Sequence, residues 1–386
     1  MNALKISALT AALILSGAYL FASDTEKIKQ AQPVNVLCYH QFVKNSVFGK
    51  NDTYKISTGM FEEHLKFIRD NGYHVITMDD YLQFIDGKKE LPEKSVMITI
   101  DDGYEGVYKG AYPLLLKYKF PATIFIYREF IRTDETSAQG SLTVAQILEM
   151  KKSGLIGVGS HSYSHMTLTR RGSRNDHDYL AFLDHEIVES KKAMEDMLGL
   201  TLDTMAYPYG AYSFETNAFV KKAGFRAGFS VVPSYNTAGT DRFLLRRTII
   251  YNTTNVSRLR KILEKKVIGI KFVKPGDGAI ISGAAPQLSA QLEDDSMLNT
   301  ATVHFRIGDT DLPPSEYDPA TKTLSHTFMK NMKSGLHIAS VQAKGVDGRA
   351  YEYAWMFMIG KTVDEKAMEK ALAAVNKTQG ETDDKK

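Results

Sequence analysis

Between Val34 and about Ile270, short apolar runs alternate with segments whose apolar positions recur at helical spacing. The runs Val34–Tyr39, His74–Thr77, Val96–Ile100, Ala122–Ile126, Ile156–Ser160, Met205–Tyr207, Gly228–Val232 and Leu244–Tyr251 are predicted strands. Several are continuous rather than alternating, as expected of parallel strands covered on both faces. Phe61, Leu65 and Ile68 recur at helical spacing after Ser57 and Thr58, and Gly72 closes that segment. Further helices are predicted over Ile147–Lys152, Ile187–Leu198 and Phe214–Ala223, each followed closely by a glycine suited to a C-terminal cap. Strand–helix alternation of this length predicts an α/β fold with a parallel sheet, open or closed into a barrel, whose active residues gather at the carboxyl ends of the strands.

Beyond Pro275-Gly276-Asp277-Gly278 the pattern changes to strand-like runs (Thr302–Ile307, His337–Ala343, Ala350–Ile359) separated by Gly, Asp and Pro turns. This predicts a smaller all-β, immunoglobulin-like sandwich over 275–360. Tyr351, Tyr353, Trp355 and Phe357 alternate along its last strand and read as a core face rather than a sugar-stacking stripe. Val363–Val375 is an amphipathic helix candidate, and Gln379–Lys386 is polar and expected to be disordered. The predicted division is a signal peptide over 1–22, an α/β domain over 23–272, the sandwich over 275–360, and a helical and disordered tail over 361–386.

Composition adds little beyond an ordinary globular chain. The 386 residues are 43% hydrophobic and 24% charged, and a net charge of +3 gives no electrostatic case for nucleic acid. The N-terminus changes the picture more. Lys5, the apolar run to Leu15, and the small residues Ser16, Gly17 and Ala18 read as a signal peptide cleaved near Ala22. A secreted or periplasmic protein with no stable membrane span after cleavage is expected. Cys38 is the one cysteine, so no disulfide framework exists. It shares a strand face with His40, but a lone cysteine within an apolar strand reads as a buried, inert thiol rather than a nucleophile.

Four short motifs end four of the predicted strands. Asp101-Asp102-Gly103 follows Val96–Ile100, and adjacent carboxylates at a buried strand end call for a compensating cation. His161-Ser162-Tyr163-Ser164-His165 follows Ile156–Ser160 and places two imidazoles within reach of one ion. One Asp and two His make three ligands and leave a position open, the pattern of a catalytic metal; Asp101 is then free to act as a base. Pro208-Tyr209-Gly210 follows Met205–Tyr207, where the Tyr209 amide can face a developing oxyanion. His40 ends the first strand, where a proton donor could sit. Each motif alone has an ordinary reading as a turn, a polar contact or a core histidine. Their common placement favours one site.

These residues resemble the polysaccharide deacetylase family, the NodB-homology enzymes of carbohydrate esterase family four. Thr99-Ile100-Asp101-Asp102-Gly103, the His161–His165 motif, Phe120–Phe125 and Ala223–Phe229 carry the likeness, which extends from Val34 to Tyr251. The resemblance implies a distorted (β/α)7–8 barrel, a divalent metal (Zn2+ first, Co2+ or Ni2+ next) held by Asp102, His161 and His165, and Asp101 as general base. Two departures stand out. Ala206 occupies the place where the family carries an arginine that orients the base, and Arg247 is the candidate replacement, with Arg246 beside it. The late Leu-x-Leu-His motif is missing, while Leu37-Cys38-Tyr39-His40 supplies the same pattern at the start. That is similar to the circularly permuted branch containing poly-N-acetylglucosamine deacetylases and makes His40 the candidate general acid.

The implied activity is metal-dependent hydrolysis of N-acetyl groups from a cell-wall or extracellular glycan, releasing acetate. Peptidoglycan is the first expectation for the substrate, and poly-N-acetylglucosamine or a chitin-like polymer the next. The competing readings are an O-acetyl polysaccharide esterase and a catalytically inactive glycan-binding wall protein, to which only Ala206 points.

Overall fold

The computed structural model describes residues 33–44, 49, 52–133, 140–169, 172, 174–282 and 287–383, with side chains described as far as 375. The expected signal peptide, Arg170 and Arg171 of a basic stretch following His165, and the last residues of the tail lie outside them.

One 8-stranded parallel sheet forms the first unit. Its strands are β1 (Asn35–Tyr39), β2 (His74–Val75), β3 (Ser95–Ile100), β4 (Ala122–Ile126), β5 (Ile156–Ser160), β6 (Thr204–Ala206), β7 (Ala227–Phe229) and β8 (Thr248–Ile249). They lie in the order β8-β1-β3-β4-β5-β6-β7, with β2 paired to the start of β3. The segment leading into β8 curls the sheet toward closure. Leu245 bridges Phe229 of β7, whereas Thr248 and Ile249 pair with Leu37 and Cys38 of β1. For this reason the long strand expected over Leu244–Tyr251 is only two residues of regular pairing: the chain spends its length crossing from one edge of the sheet to the other.

Both faces of the sheet are covered, which accounts for the continuous apolar runs. Leu37, Tyr39, Ile98, Ile100, Ile124 and Ile126 point outward into the surrounding helices. Val36, Met97, Phe125, Ala206, Phe229 and Leu245 point inward, and Tyr81, Leu82 and Phe84 of the helix Met78–Ile85 complete that inner cluster. The helix expected near Phe61 runs Thr58–Asp70 with Ser57 capping it, and those expected near Ile147 and Phe214 run Val144–Lys152 and Phe214–Lys222. The helix expected at Ile187 differs. A π-helical turn, Asp184–Glu189, precedes Ser190–Leu198 and rotates the side chains around it.

The second unit has a 6-stranded and a 4-stranded sheet. Their first strands, Lys266–Val267 and Ile270–Lys274, begin before the change of texture at Pro275. Leu288, Leu292, Phe305, Leu324, Val341, Trp355 and Phe357 fill the space between the sheets. Trp355 is 0% exposed and Phe357 1%, so these two are core, and Tyr351 and Tyr353 pack against it partly buried. On the other face of the same strand, Ala354 and Met356 join the core of the first unit. The strand Ala350–Ile359 is thus buried on both sides and belongs to both units. The final helix, Glu365–Asp383, packs back through Met368 and Val375 and continues past the expected end at Val375, so that Gln379–Asp383, expected to be disordered, is helical.

Space inside the barrel is bought with glycine. A Cβ on Gly159 of β5 would lie 2.5 Å from the Phe125 ring. Phe125 in turn packs on Phe229 at 5.6 Å and lies 5.3 Å below the Arg247 guanidinium. Gly159→Ala is therefore expected to destabilise the protein by about 1–3 kcal/mol, the usual cost of overpacking, seen as a lower melting temperature by calorimetry.

Candidate active site

The carboxyl ends of β1, β3, β5 and β6 and the segment before β8 converge on one open cleft, lined among others by His40, Asp101, Asp102, His161, His165 and Tyr209. After β3 the chain turns sharply, with Asp102 at φ +75° and Gly103 at φ +86°. A carboxylate residue tolerates that left-handed conformation poorly but better than most side chains. The turn separates the two neighbours: Asp101 continues the inward face of β3, and Asp102 faces the histidines.

Asp101 is 2% exposed and meets Arg247, which is fully buried. The guanidinium forks onto the carboxylate with Nη1–Oδ1 2.6 Å and Nη2–Oδ2 2.7 Å. Its Nε donates to the Ser230 carbonyl at 2.9 Å. The Cys38 thiol adds a longer contact to Asp101 Oδ2 at 3.4 Å. Burial by itself would raise the Asp101 pKa, but Arg247 and His161 hold it well below the usual carboxylate range. Asp101 is therefore an anion at working pH, inside a barrel. Burial pushes the Cys38 thiol up, which removes it as a thiolate nucleophile.

Asp102, His161 and His165 each offer a ligand atom, all within 4.8 Å of one another. Asp102 Oδ1 lies 3.6 Å from His161 Nε2 and 3.3 Å from His165 Nε2. Nδ1 of His161 is 2.7 Å from the carbonyl of Ala206, to which it donates when Nε2 is the bare nitrogen. Burial lowers the His161 pKa to about 4, so the ring is neutral. His165 sits at φ +59° with its amide donating to Ser162 Oγ at 3.0 Å. Asp102 Oδ1 is buried and, among the described residues, lacks a hydrogen-bond donor of suitable geometry. An orphaned carboxylate oxygen facing two imidazoles at the floor of an open cleft fits a divalent cation.

His40 lies across the cleft floor, within 4.8 Å of Cys38 and Asp101 by its nearest ring nitrogen. Its Nδ1 is buried without a hydrogen-bond partner among the described residues, and its ring rests on Tyr54 at 4.9 Å between centroids. Burial lowers its pKa, while Asp101 and Asp102 favour the protonated form. Tyr209 takes φ +57°, which turns its ring outward against His165, 4.7 Å between centroids, and leaves its amide at the end of β6. Arg246 and Arg247 point opposite ways from the extended chain; Arg247 enters the site and Arg246 the second unit.

Glu186 escaped the sequence reading. It is 2% exposed, and its Oε2 accepts the amides of Tyr163 at 3.2 Å and Ser164 at 3.0 Å, which braces the loop between the two histidines. The π-helical turn aims it there, and no local pattern marks such a turn.

Residues 88–228 match the family model for polysaccharide deacetylase. Over 234 residues the chain is 28% identical to the poly-β-1,6-N-acetyl-D-glucosamine N-deacetylase of Staphylococcus aureus, covering 59% of this chain and 78% of that protein. Among solved structures it is similar to a de-N-acetylase from Aggregatibacter actinomycetemcomitans, 25% identical, TM-score 0.54, over 60% of this chain and 99% of that one. It is also similar to IcaB from Ammonifex degensii, 25% identical, TM-score 0.52, over 61% of this chain and 98% of that one.

Removing Arg247 strands a buried carboxylate. Arg247→Met should cost about 3–5 kcal/mol in denaturant unfolding, and adding Asp101→Asn should recover much of that loss.

Proposed function

We propose that the polysaccharide deacetylase domain carried by this chain hydrolyses N-acetyl groups of an extracellular poly-N-acetylglucosamine, with a divalent metal at Asp102, His161 and His165. One observation carries the reading: a carboxylate held anionic by Arg247 stands beside an orphaned carboxylate oxygen that faces two imidazoles, all at the floor of one cleft. The similarity to the staphylococcal enzyme favours a β-1,6-linked N-acetylglucosamine polymer over peptidoglycan, the first expectation from sequence. No helix among the described residues is long and apolar enough to cross a membrane, and the apolar segment before Ala22 supports export to where such a polymer lies.

A zinc ion, or cobalt or nickel in its place, would supply carbonyl polarisation and acidify water. The protein's own residues do the rest. Asp101 accepts the proton of the water that adds to the acetyl carbon, and its pair with Arg247 keeps it in the form able to do so. That same pair makes Asp101 a weak base, so its contribution rests on placement rather than on basicity. The Tyr209 amide faces the oxygen on which charge develops. His40 delivers a proton to nitrogen as the C–N bond breaks, so the sugar leaves as the neutral amine and the acetyl group as acetic acid, which loses its proton to solvent as acetate. Ala206 brings no arginine side chain to that place, its backbone carbonyl orients His161, and Arg247 pairs with the base.

Acetate release from poly-β-1,6-N-acetylglucosamine, peptidoglycan, chitin oligomers and acetylxylan, with and without chelator, tests the reading. Release from the first, abolished by chelator, is expected; release from acetylxylan alone would replace it with an O-acetyl esterase. Asp101→Asn should lower kcat by about 10²–10⁴ with metal retained, whereas His161→Ala should lose the metal by elemental analysis. Glu186→Gln should weaken metal binding by about 10–100-fold in a competition titration, because the histidine loop loses its brace.

A further inference from the structure

Arg246, next to the arginine that holds the base, is 6% exposed and spends its whole side chain on the second unit. Its Nη2 donates to Asp277 Oδ2 at 2.9 Å and to Tyr353 Oη at 3.0 Å, and its Nε to the Ala354 carbonyl at 3.1 Å. Asp277 lies in the turn between the strands Ile270–Lys274 and Ile280–Ile281. Its other oxygen accepts from the Tyr212 hydroxyl and from the Met356 amide. Tyr212 is 2% exposed and follows Tyr209 in the loop after β6. One carboxylate of the second unit therefore grips both the segment carrying Arg247 and the loop carrying Tyr209.

We infer that Asp277 is a positioning residue for the deacetylation, and that the β-rich unit is part of the catalytic body rather than an appended module; this rests on the function proposed above. Successive side chains of an extended chain alternate in direction. Arg246 and Arg247 leave the backbone on opposite sides, so anchoring one fixes the direction of the other. The segment is also pinned at both ends, by Leu245 on β7 and Thr248 on β1, and the Arg246 backbone exchanges two hydrogen bonds with the Asn236 side chain, at 2.8 and 2.9 Å. To these backbone restraints the Asp277–Arg246 pair adds a side-chain anchor that resists rotation about the strand axis. A forked contact of 2.6 and 2.7 Å onto Asp101 does not survive much rotation.

Asp277→Asn is to be compared with the wild type, Arg247→Lys and the double variant in the purified full chain, on the glycan from which the wild type releases acetate. The expected result is a kcat about 10- to 100-fold lower, as for other remote misplacements of catalytic groups, with KM and metal content unchanged. The double variant should be no slower than Arg247→Lys alone, because Asp277 acts through Arg247. Losses that multiply, or a kcat equal to wild type, would overturn the inference while leaving the proposed function intact. If Asp277→Asn does not fold, Arg246→Lys keeps the charge but not the fork and carries the same expectations. If the wild type releases no acetate from any glycan, the proposed function fails. The inference then stands or falls on the Nε–H signals of the 15N-labelled protein: Asp277→Asn must displace the Arg247 signal together with that of Arg246, and an Arg247 signal that stays in place overturns it.

Discussion

A carboxylate must stay charged inside a protein barrel, and much of this structure is arranged around that requirement. Burial alone raises the Asp101 pKa and so disfavours the charged form. The fully buried guanidinium of Arg247 opposes this, and further contacts support the pair: Ser230 and Thr99 accept from Arg247, and the Cys38 thiol donates to Asp101. A lysine could supply the charge but not the planar fork.

The pair in turn depends on the way the sheet closes. The chain from Leu245 to Ile249 leaves β7 and arrives at β1, and Arg247 sits midway with its side chain inside. Below it, Phe125 supplies a flat apolar floor, and glycine at 159 makes the room for that ring. Beside it, the turn at Asp102 and Gly103 splits two adjacent carboxylates between two tasks, one paired with arginine and one aimed at the imidazoles. The two carboxylates are thus neighbours in sequence with different principal partners, and His161 faces both, its Nε2 3.7 Å from Asp101 Oδ2 and 3.6 Å from Asp102 Oδ1.

The β-rich unit shares this arrangement rather than standing beside it. Its strand Ala350–Ile359 presents Trp355 and Phe357 to its own core and Ala354 and Met356 to the barrel's. The interface therefore joins the apolar contact of Ala354 and Met356 to the Arg246–Asp277–Tyr212 cluster, which bonds the backbone of the same two residues, so that the second unit touches the two loops on which the cleft is built.

By itself, the sequence determined the parallel α/β architecture, because continuous apolar runs between helical patterns admit few other arrangements, and it located the cleft, because Asp101-Asp102, His161–His165, Pro208–Gly210 and His40 all end strands. It also placed Trp355 and Phe357 of the aromatic stripe in a core. Tertiary structure alone decided which of Arg246 and Arg247 enters the barrel: both stand in one extended segment, and their facing depends on how β7 and β1 are bridged. It likewise decided what Ala206 contributes, since a backbone carbonyl has no signature in side-chain identity. Glu186 became a brace only through a π-helical turn that shifts the register of an otherwise ordinary amphipathic pattern. Asp277 reads locally as a turn residue, and its grip on Arg246 and Tyr212 spans separations along the chain over which local patterns carry no information.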